Sequence, residues 1–441
     1  MFWIPCRWRN KESSSESTHK SRWWYRVLSR LIGMFENSRL LQLVVITACI
    51  QGGVIISQFL ITPWVDPSVV GMVRSLETII ALVILAGSLG MQSIAIRDTA
   101  ASNGTTDKNE VLRQVFLLVV IASIGVIACI YVANKFVWNS VMSSYVFTTC
   151  GLVLLTNLLR VTTGFAQGAK VIREIYFALM LVTGVSIVLH VVLTKFFGIE
   201  GWMTARYIGE LLCLVAVWWK LRSYIFSALD FRLVNRRELM MTAKSGVTVN
   251  ASLFVRLMVD SLPVLMLTAY HVKIDEIGFF GIALLSLSLG LLPLTIIAQR
   301  AIPDLVEVVN DKEMLRERHH AFFRSMLKIS SSVALLLIVI SLVWFLLVGG
   351  VYKQAAIYMF VLALTLPLKA IALVSGTMLL ALRVFSLSLK VNIVEGLSVA
   401  LILYLSITHF GAWAGVLGYA TGVVLSSMLL LVAVRLRLAD L

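Results

Sequence analysis

The sequence predicts an all-α, polytopic membrane protein with twelve transmembrane helices, six before and six after a polar midpoint. Three observations carry that fold class. The 441-residue chain is 59% hydrophobic and 14% charged, with a mean hydropathy of +0.92, too apolar for a soluble domain that must cover itself with polar surface. Its apolar residues form continuous runs suited to helices of ~20 residues crossing a ~30 Å hydrocarbon core, without the in-out alternation of a lipid-facing strand. Its basic residues concentrate on alternate connections, which reports topology rather than nucleic-acid binding for the net charge of +15.

Residues 1–38 come first, with Arg7, Arg9, Lys11, Lys20, Arg22, Arg26 and Arg30 around a serine-rich middle. They lack the apolar run of a signal peptide and read as a basic cytoplasmic segment. Trp23, Trp24 and Tyr25 suit a short interfacial helix, and a disordered tail is the plainer reading. Twelve apolar stretches follow, at 40–62, 71–95, 112–133, 145–166, 174–194, 201–219, 240–269, 277–299, 325–348, 355–382, 386–407 and 413–434. With the N-terminus inside, nearly all loop lysines and arginines are cytoplasmic, and the outer connections hold only Lys135, Lys195, Lys273 and Lys353. Both termini are therefore expected on the cytoplasmic side of a multi-pass protein.

The polar connection near residue 230 divides the chain into an N-lobe (39–226), a linker (227–238) and a C-lobe (239–441). Weak internal similarity supports a repeat. Phe197-Gly198 before span six matches Phe410-Gly411 before span twelve, with Gly209 and Gly422 at the same offset; Ser88-Leu89-Gly90 matches Ser288-Leu289-Gly290 in spans two and eight. Pro263, Pro293 and Pro367 lie inside spans of the second half, where hinges are expected if the prolines do more than shape the bundle. Pairs such as Gly164 and Gly168, or Gly418 and Gly422, have the spacing of close helix packing.

Four cations stand inside predicted spans: Arg160, Arg206, Arg256 and Lys369. A cation in hydrocarbon costs at least a few kcal/mol, so such residues face a polar cavity or pair with a carboxylate. Arg206 with Glu210, and Arg256 with Asp260, are each at i and i+4 on one helical face. Each pair can be self-neutralising, or its arginine can hold an anion while Glu210 or Asp260 exchanges a proton or sodium ion for coupling. Arg160 and Lys369 have no carboxylate one turn away. Arg160 is near enough to the cytoplasmic end to snorkel, whereas Lys369 is mid-span and the most diagnostic of the four. Arg74 and Glu77, Arg97 and Asp98, and Lys390 and Glu395 lie nearer span ends and read mostly as interfacial or interhelical residues; His190 reads as a satisfied polar residue. Trp138, Trp202, Tyr207, Trp344 and Trp413 fit an aromatic belt better than sugar stacking. No Cys/His cluster suggests a metal, and no cofactor is expected beyond a coupling H⁺ or Na⁺.

Two stretches resemble polysaccharide flippases of the O-antigen repeat-unit type. Residues 63–98 pair a short acidic loop, Asp66, with Gly71 and a helix through Gly87-Ser88-Leu89-Gly90 to Ala95-Ile96-Arg97; residues 256–283 pair Asp260 with Asp275-Glu276-Ile277-Gly278-Phe279-Phe280. The loop Pro63-Trp64-Val65-Asp66-Pro67 departs from the commoner Leu-Gly-Pro-acidic-acidic run. The resemblance implies the multidrug/oligosaccharidyl-lipid/polysaccharide exporter superfamily, with two six-helix lobes around a central cavity. It implies a bacterial inner-membrane flippase that moves undecaprenyl-diphosphate-linked oligosaccharide to the outer leaflet, with Arg206, Arg256 and Lys369 matched by depth to the family's cavity cations and Arg160 expected to join them in cradling the diphosphate. Membrane lipid would surround it, a polysaccharide polymerase and a chain-length regulator are its candidate protein partners, and nucleic acid is not expected.

Two alternatives stand beside this reading. An ion-coupled drug or metabolite antiporter of the same superfamily would want an unpaired carboxylate in span one or seven. A membrane-embedded polysaccharide polymerase is disfavoured by short outer loops and the lack of a concentrated His/Asp/Arg constellation, so no enzymatic activity is expected.

Overall fold

The computed structural model describes residues 52–440 except positions 54, 103, 138–140, 170, 229–234, 310, 348–349, 351 and 383. These lie in one compact unit, Ala48–Leu441. The expectations for the basic N-terminal segment, the start of span one and Trp138 fall outside the described residues.

The described chain is helical throughout and contains no strand. Its helices in order are α1 (Ile55–Trp64), α2 (Pro67–Ser88), α3 (Met91–Ala101), α4 (Thr105–Val137), α5 (Val141–Gly168), α6 (Ile172–Lys220), α7 (Arg222–Ala228), α8 (Arg236–Ala269), α9 (Ile274–Glu307), α10 (Lys312–Leu347), α11 (Lys353–Ala363), α12 (Leu366–Ala381), α13 (Phe385–Phe410) and α14 (Ala412–Asp440). Eight are long and apolar enough to cross a membrane outright, and α11 with α12, bent by 45°, makes a ninth span.

One of those eight, α6, is itself two helices joined at Gly198, whose backbone (φ 57°, ψ −133°) favours a residue without a Cβ. The two halves fold back on each other, since Gly209 packs on Ser186 and His190. Gly411 separates α13 from α14 with nearly the same backbone (φ 52°, ψ −128°), and Gly422 packs on Val399 and Glu395. The two Phe-Gly sites of the expected repeat are therefore the same hairpin built twice. The Ser-Leu-Gly match is not: Ser88-Leu89-Gly90 breaks span two, whereas Ser288-Leu289-Gly290 lies inside continuous α9.

That break owes nothing to proline. Leu89 (φ 46°) and Gly90 (φ 69°) are both left-handed, which frees the Leu85 carbonyl from its helix. Asn250 of α8 donates to that carbonyl at 2.9 Å and accepts from the Ser88 hydroxyl at 3.2 Å. Two of the three second-half prolines sit in continuous helix. Helix α8 runs unbroken through Pro263 and α9 through Pro293; only Pro367, in the first turn of α12, marks a bend. A proline removes one hydrogen bond, which flanking helix can absorb.

Separate cores hold the halves together internally. Leu76, Ile80, Leu152 and Trp202 centre one; Phe280, Leu294, Tyr358, Leu403 and Val416 centre another. Trp202, 0% exposed, belongs to neither a belt nor a sugar platform. Gly164 and Gly168 let α5 lie against the Gln92 and Ile96 carbonyls of α3, the close approach their spacing predicts.

The halves meet along α2, which packs on α8 and α9. At the end away from the basic connections, a Cβ on Gly71 would collide with the Ile274 carbonyl, and one on Gly278 with the Pro67 carbonyl. Beside this seam the Tyr352 hydroxyl donates to the Val65 carbonyl at 2.8 Å. Burial, with Asp66 and Asp275 nearby, raises the Tyr352 phenol above its ordinary range, so it stays a donor.

Substituting valine for Gly71 or Gly278 is expected to destabilise the closed seam by about 1–3 kcal/mol, the cost of overpacking. Thermal unfolding of the purified protein should show a lowered Tm for both. Gly376→Ala, where a Cβ meets nothing within 4 Å, should leave Tm unchanged or raise it.

Candidate functional site

Two polar clusters lie inside the bundle, one in each half. In the first, Arg206 of α6 bonds Glu210 one turn on, Nη2 to Oε1, at 3.1 Å, and its Nε lies 3.6 Å from Glu77 Oε1 of α2. All three side chains are 15% exposed or less. Arg160 of α5 reaches the electrostatic field of Glu210 and Arg206, and Arg74 that of Glu77. Arg160 has no ion pair of its own among the described residues.

Arg74 packs its stem on Gly281 of α9, which places it at the seam between the halves. Nε of Arg74 and of Arg206, Oε1 of Glu77 and Oε2 of Glu210 are buried without a hydrogen-bond partner among the described residues. A network left partly satisfied is costly in a low-dielectric interior, and its members exchange partners readily. His190 donates through Nδ1–H to the Ser186 carbonyl at 2.7 Å, so its own helix satisfies it on that side.

The second cluster overturns the ranking of the cations drawn from sequence. Lys369 is not unpartnered: its Nζ donates to Asp260 Oδ1 at 3.0 Å, joining α12 to α8, with the side chains 12% and 38% exposed. The local Arg256–Asp260 pair does not form. Asp260 goes to the more buried cation, for which desolvation is the greater penalty, and exposed Arg256 has no ion pair among the described residues. Lys369 also stands 5.5 Å from the Tyr419 ring centroid and in the field of Glu395, itself 8% exposed.

Arg206 and Tyr419 fall at the same offset after Gly198 and Gly411, about two helical turns or ~12 Å from these hairpins. Both clusters therefore sit at one depth, near the middle of a ~30 Å core. Sequence reading takes Arg74, Glu77 and Glu395 as interfacial or interhelical residues and does not single out Tyr419 or Asn250. The cue available was in α8, which carries Arg256 and Asp260 within its apolar stretch. Such a helix faces protein or a polar space.

No protein-family model and no curated protein matches the chain by sequence. Solved structures do match in three dimensions. A multidrug resistance MATE family transporter of the MOP superfamily in its inward-facing conformation superposes with a TM-score of 0.75 at 15% identity, over 88% of this chain and 95% of that one. The fold is that of MATE transporters. The MATE fold accounts for twelve spans in two lobes. An outward-facing multidrug resistance MATE transporter gives 0.66 at 14% identity, covering 90% and 94%. A MOP superfamily transporter from Pyrococcus furiosus gives 0.64 at 14%, covering 91% and 95%.

A double-mutant cycle on Lys369→Met and Asp260→Asn should show coupling of about 1–3 kcal/mol in equilibrium unfolding, between the values for exposed and fully buried pairs. Each single variant should be less stable than the double. Additive losses would mean that the pair carries no net interaction.

Proposed function

We propose that the chain is an alternating-access exporter of lipid-linked oligosaccharide diphosphates, undecaprenyl-diphosphate-linked repeat units among them, working in the bacterial inner membrane with both termini cytoplasmic. The observation that carries this reading is the pair of uncommitted guanidiniums, Arg160 in the first lobe and Arg256 in the second. Neither has an ion pair among the described residues, and each stands beside a cluster whose carboxylates are already engaged by Arg206 and Lys369.

A guanidinium matches phosphate oxygens in a two-pronged geometry that an ammonium cannot offer. A diphosphate entering a low-dielectric path gains from such donors what it loses in hydration. In this reading Arg160 and Arg256 make the first contacts. Arg206 and Lys369 join by releasing Glu210 or Asp260, which then takes up a proton or sodium ion. That exchange supplies coupling. A carrier of cationic drugs would use an unpaired carboxylate in span seven, and Asp260 is held by Lys369. The Pyrococcus furiosus structure is described as having a binding pocket of reversed polarity that suggests a different function, so carriers of one fold need not share a pocket charge.

The resemblance in residues 63–98 and 256–283 supports the glycan end of the substrate. A polymerase and a chain-length regulator are proposed partners on the same basis, and the protein is proposed to act as a carrier without chemical turnover.

Arg160→Ala and Arg256→Ala, at unchanged protein level, are each expected to lower export of surface polysaccharide roughly tenfold or more, since a hydrogen bond to a charged group contributes about 1.5–3 kcal/mol. Lysine at either position should restore part of the loss. Lipid extraction from a gene deletion should show linked repeat units accumulating on the cytoplasmic leaflet. Full export in both alanine variants would sink the anion path. Exported single units without polymer would indicate a polymerase, and drug sensitivity with normal polysaccharide an antiporter.

A further inference from the structure

At the end of the bundle away from the basic connections, a pocket of about 390 Å³ opens between the loop after α1 and the Gly198 hairpin. Its lining includes Trp64, Asp66, Thr194, Lys195 and Gly198. The volume falls in the range of small-ligand sites. A Cβ on Gly198 would meet nothing within 4 Å, so the hairpin side is open.

Its charges are arranged in an uncommon way. Lys195 Nζ is held 4.0 Å from the Trp64 ring centroid, which fixes the ammonium without neutralising it. Asp66 stands at the N-terminus of α2 but makes no side-chain capping bond there. Among the described residues no ion pair joins Asp66 to Lys195 or to any other cation. One anion and one cation thus line a single small pocket, both exposed and neither satisfied by the other. Beneath them Thr194 is 0% exposed, and its hydroxyl has no hydrogen-bond partner among the described residues.

A ligand that completes this arrangement carries both signs of charge. We propose that the pocket binds the headgroup of a zwitterionic aminophospholipid, with the phosphate on Lys195 and the ammonium on Asp66. The Thr194 hydroxyl is the donor or acceptor left for the headgroup at the pocket floor. Depth argues for lipid over a soluble zwitterion. Val188, Val192 and Phe196 are exposed at i, i+4 and i+8 on the α6 segment that ends at the pocket, with Phe197 exposed beside them. That stripe gives the acyl chains an apolar wall directly below the charged groups. Exposed Trp64 suits the headgroup level. A purely anionic lipid would leave Asp66 repelled, and a quaternary headgroup could not donate hydrogen bonds to it. The site is separate from the clusters at mid-depth and does not rest on the substrate proposed above.

The test uses the full-length protein in nanodiscs of equimolar dioleoyl phosphatidylethanolamine, phosphatidylglycerol and phosphatidylcholine, followed by native mass spectrometry of retained lipid. The expected result is preferential retention of phosphatidylethanolamine. Asp66→Asn and Lys195→Gln should each reduce it about tenfold, the effect of losing one charge-assisted contact. Lys353→Gln, which removes a similar ammonium lying over the Phe345 ring 4.7 Å away, should leave it unchanged. Equal retention of phosphatidylglycerol would overturn the proposal in favour of a plain anion site, as would displacement of the lipid by millimolar inorganic phosphate. Equal retention of phosphatidylcholine would overturn the role of Asp66. Circular dichroism and Tm of the variants separate loss of binding from loss of fold, and retention unaffected in both folded variants would overturn the site.

Discussion

The contact between Lys369 and Asp260 is the constraint on which the interior of the second lobe depends. An ammonium deep in a bilayer must be matched within the protein, and here the match reaches across the bundle from α12 to α8 at 3.0 Å. Lys369 stands in the first turn after the 45° bend of span ten, so the pair also fixes the direction in which that broken span re-enters the bundle. Once Asp260 is taken, Arg256 is left uncommitted. The first lobe reaches the same state by another route. Arg206 engages both Glu77 and Glu210, and Arg160 stays free of an ion pair.

A second constraint acts at the end of the bundle away from the basic connections. Gly71 and Gly278 belong to the stretches that resemble polysaccharide flippases, and in the folded chain they act alike, each letting one helix lie against a carbonyl of the other. What those glycines preserve is contact between α2 and α9, not substrate chemistry. On the proposed function, alternating access must separate this seam, and the Tyr352 bond to Val65 adds one polar contact to be broken with it. The seam also holds a Ser75–Thr268 hydroxyl pair at 3.0 Å between α2 and α8 and the stem of Arg74 against Gly281, so parting it costs polar contacts as well as van der Waals contact.

What the sequence made legible follows from how far each cue acts along the chain. Apolar runs marked the spans because hydropathy is a property of each helix by itself. The hairpins at Gly198 and Gly411 were visible because a left-handed glycine after phenylalanine is a local signal. The break at Leu89-Gly90 was not, since it depends on Asn250, a residue of another helix, to take the Leu85 carbonyl. The charges failed in the same way. The i,i+4 rule paired Asp260 with Arg256, but that rule knows nothing of Lys369, which is more buried and has more to gain from the carboxylate. It succeeded for Arg206 and Glu210 because no competing cation in the described residues is better placed.

The lobes solve one problem with different chemistry, and on the proposed function that difference has a consequence. Arg206 holds its carboxylates with a rigid, planar guanidinium, whereas Lys369 ends in a flexible ammonium shared among Asp260, the Tyr419 ring and the field of Glu395. The ammonium can change partners with less rearrangement. A ligand drives alternating access only through its differential affinity for the two conformations. An anion held by Arg160 alone would ride with one lobe and favour neither state. An anion that reaches Arg256 as well spans the two lobes, and its contacts alter when they rock. Diphosphate bridging, with Lys369 moving off Asp260 to follow it, is then what would convert substrate binding into movement.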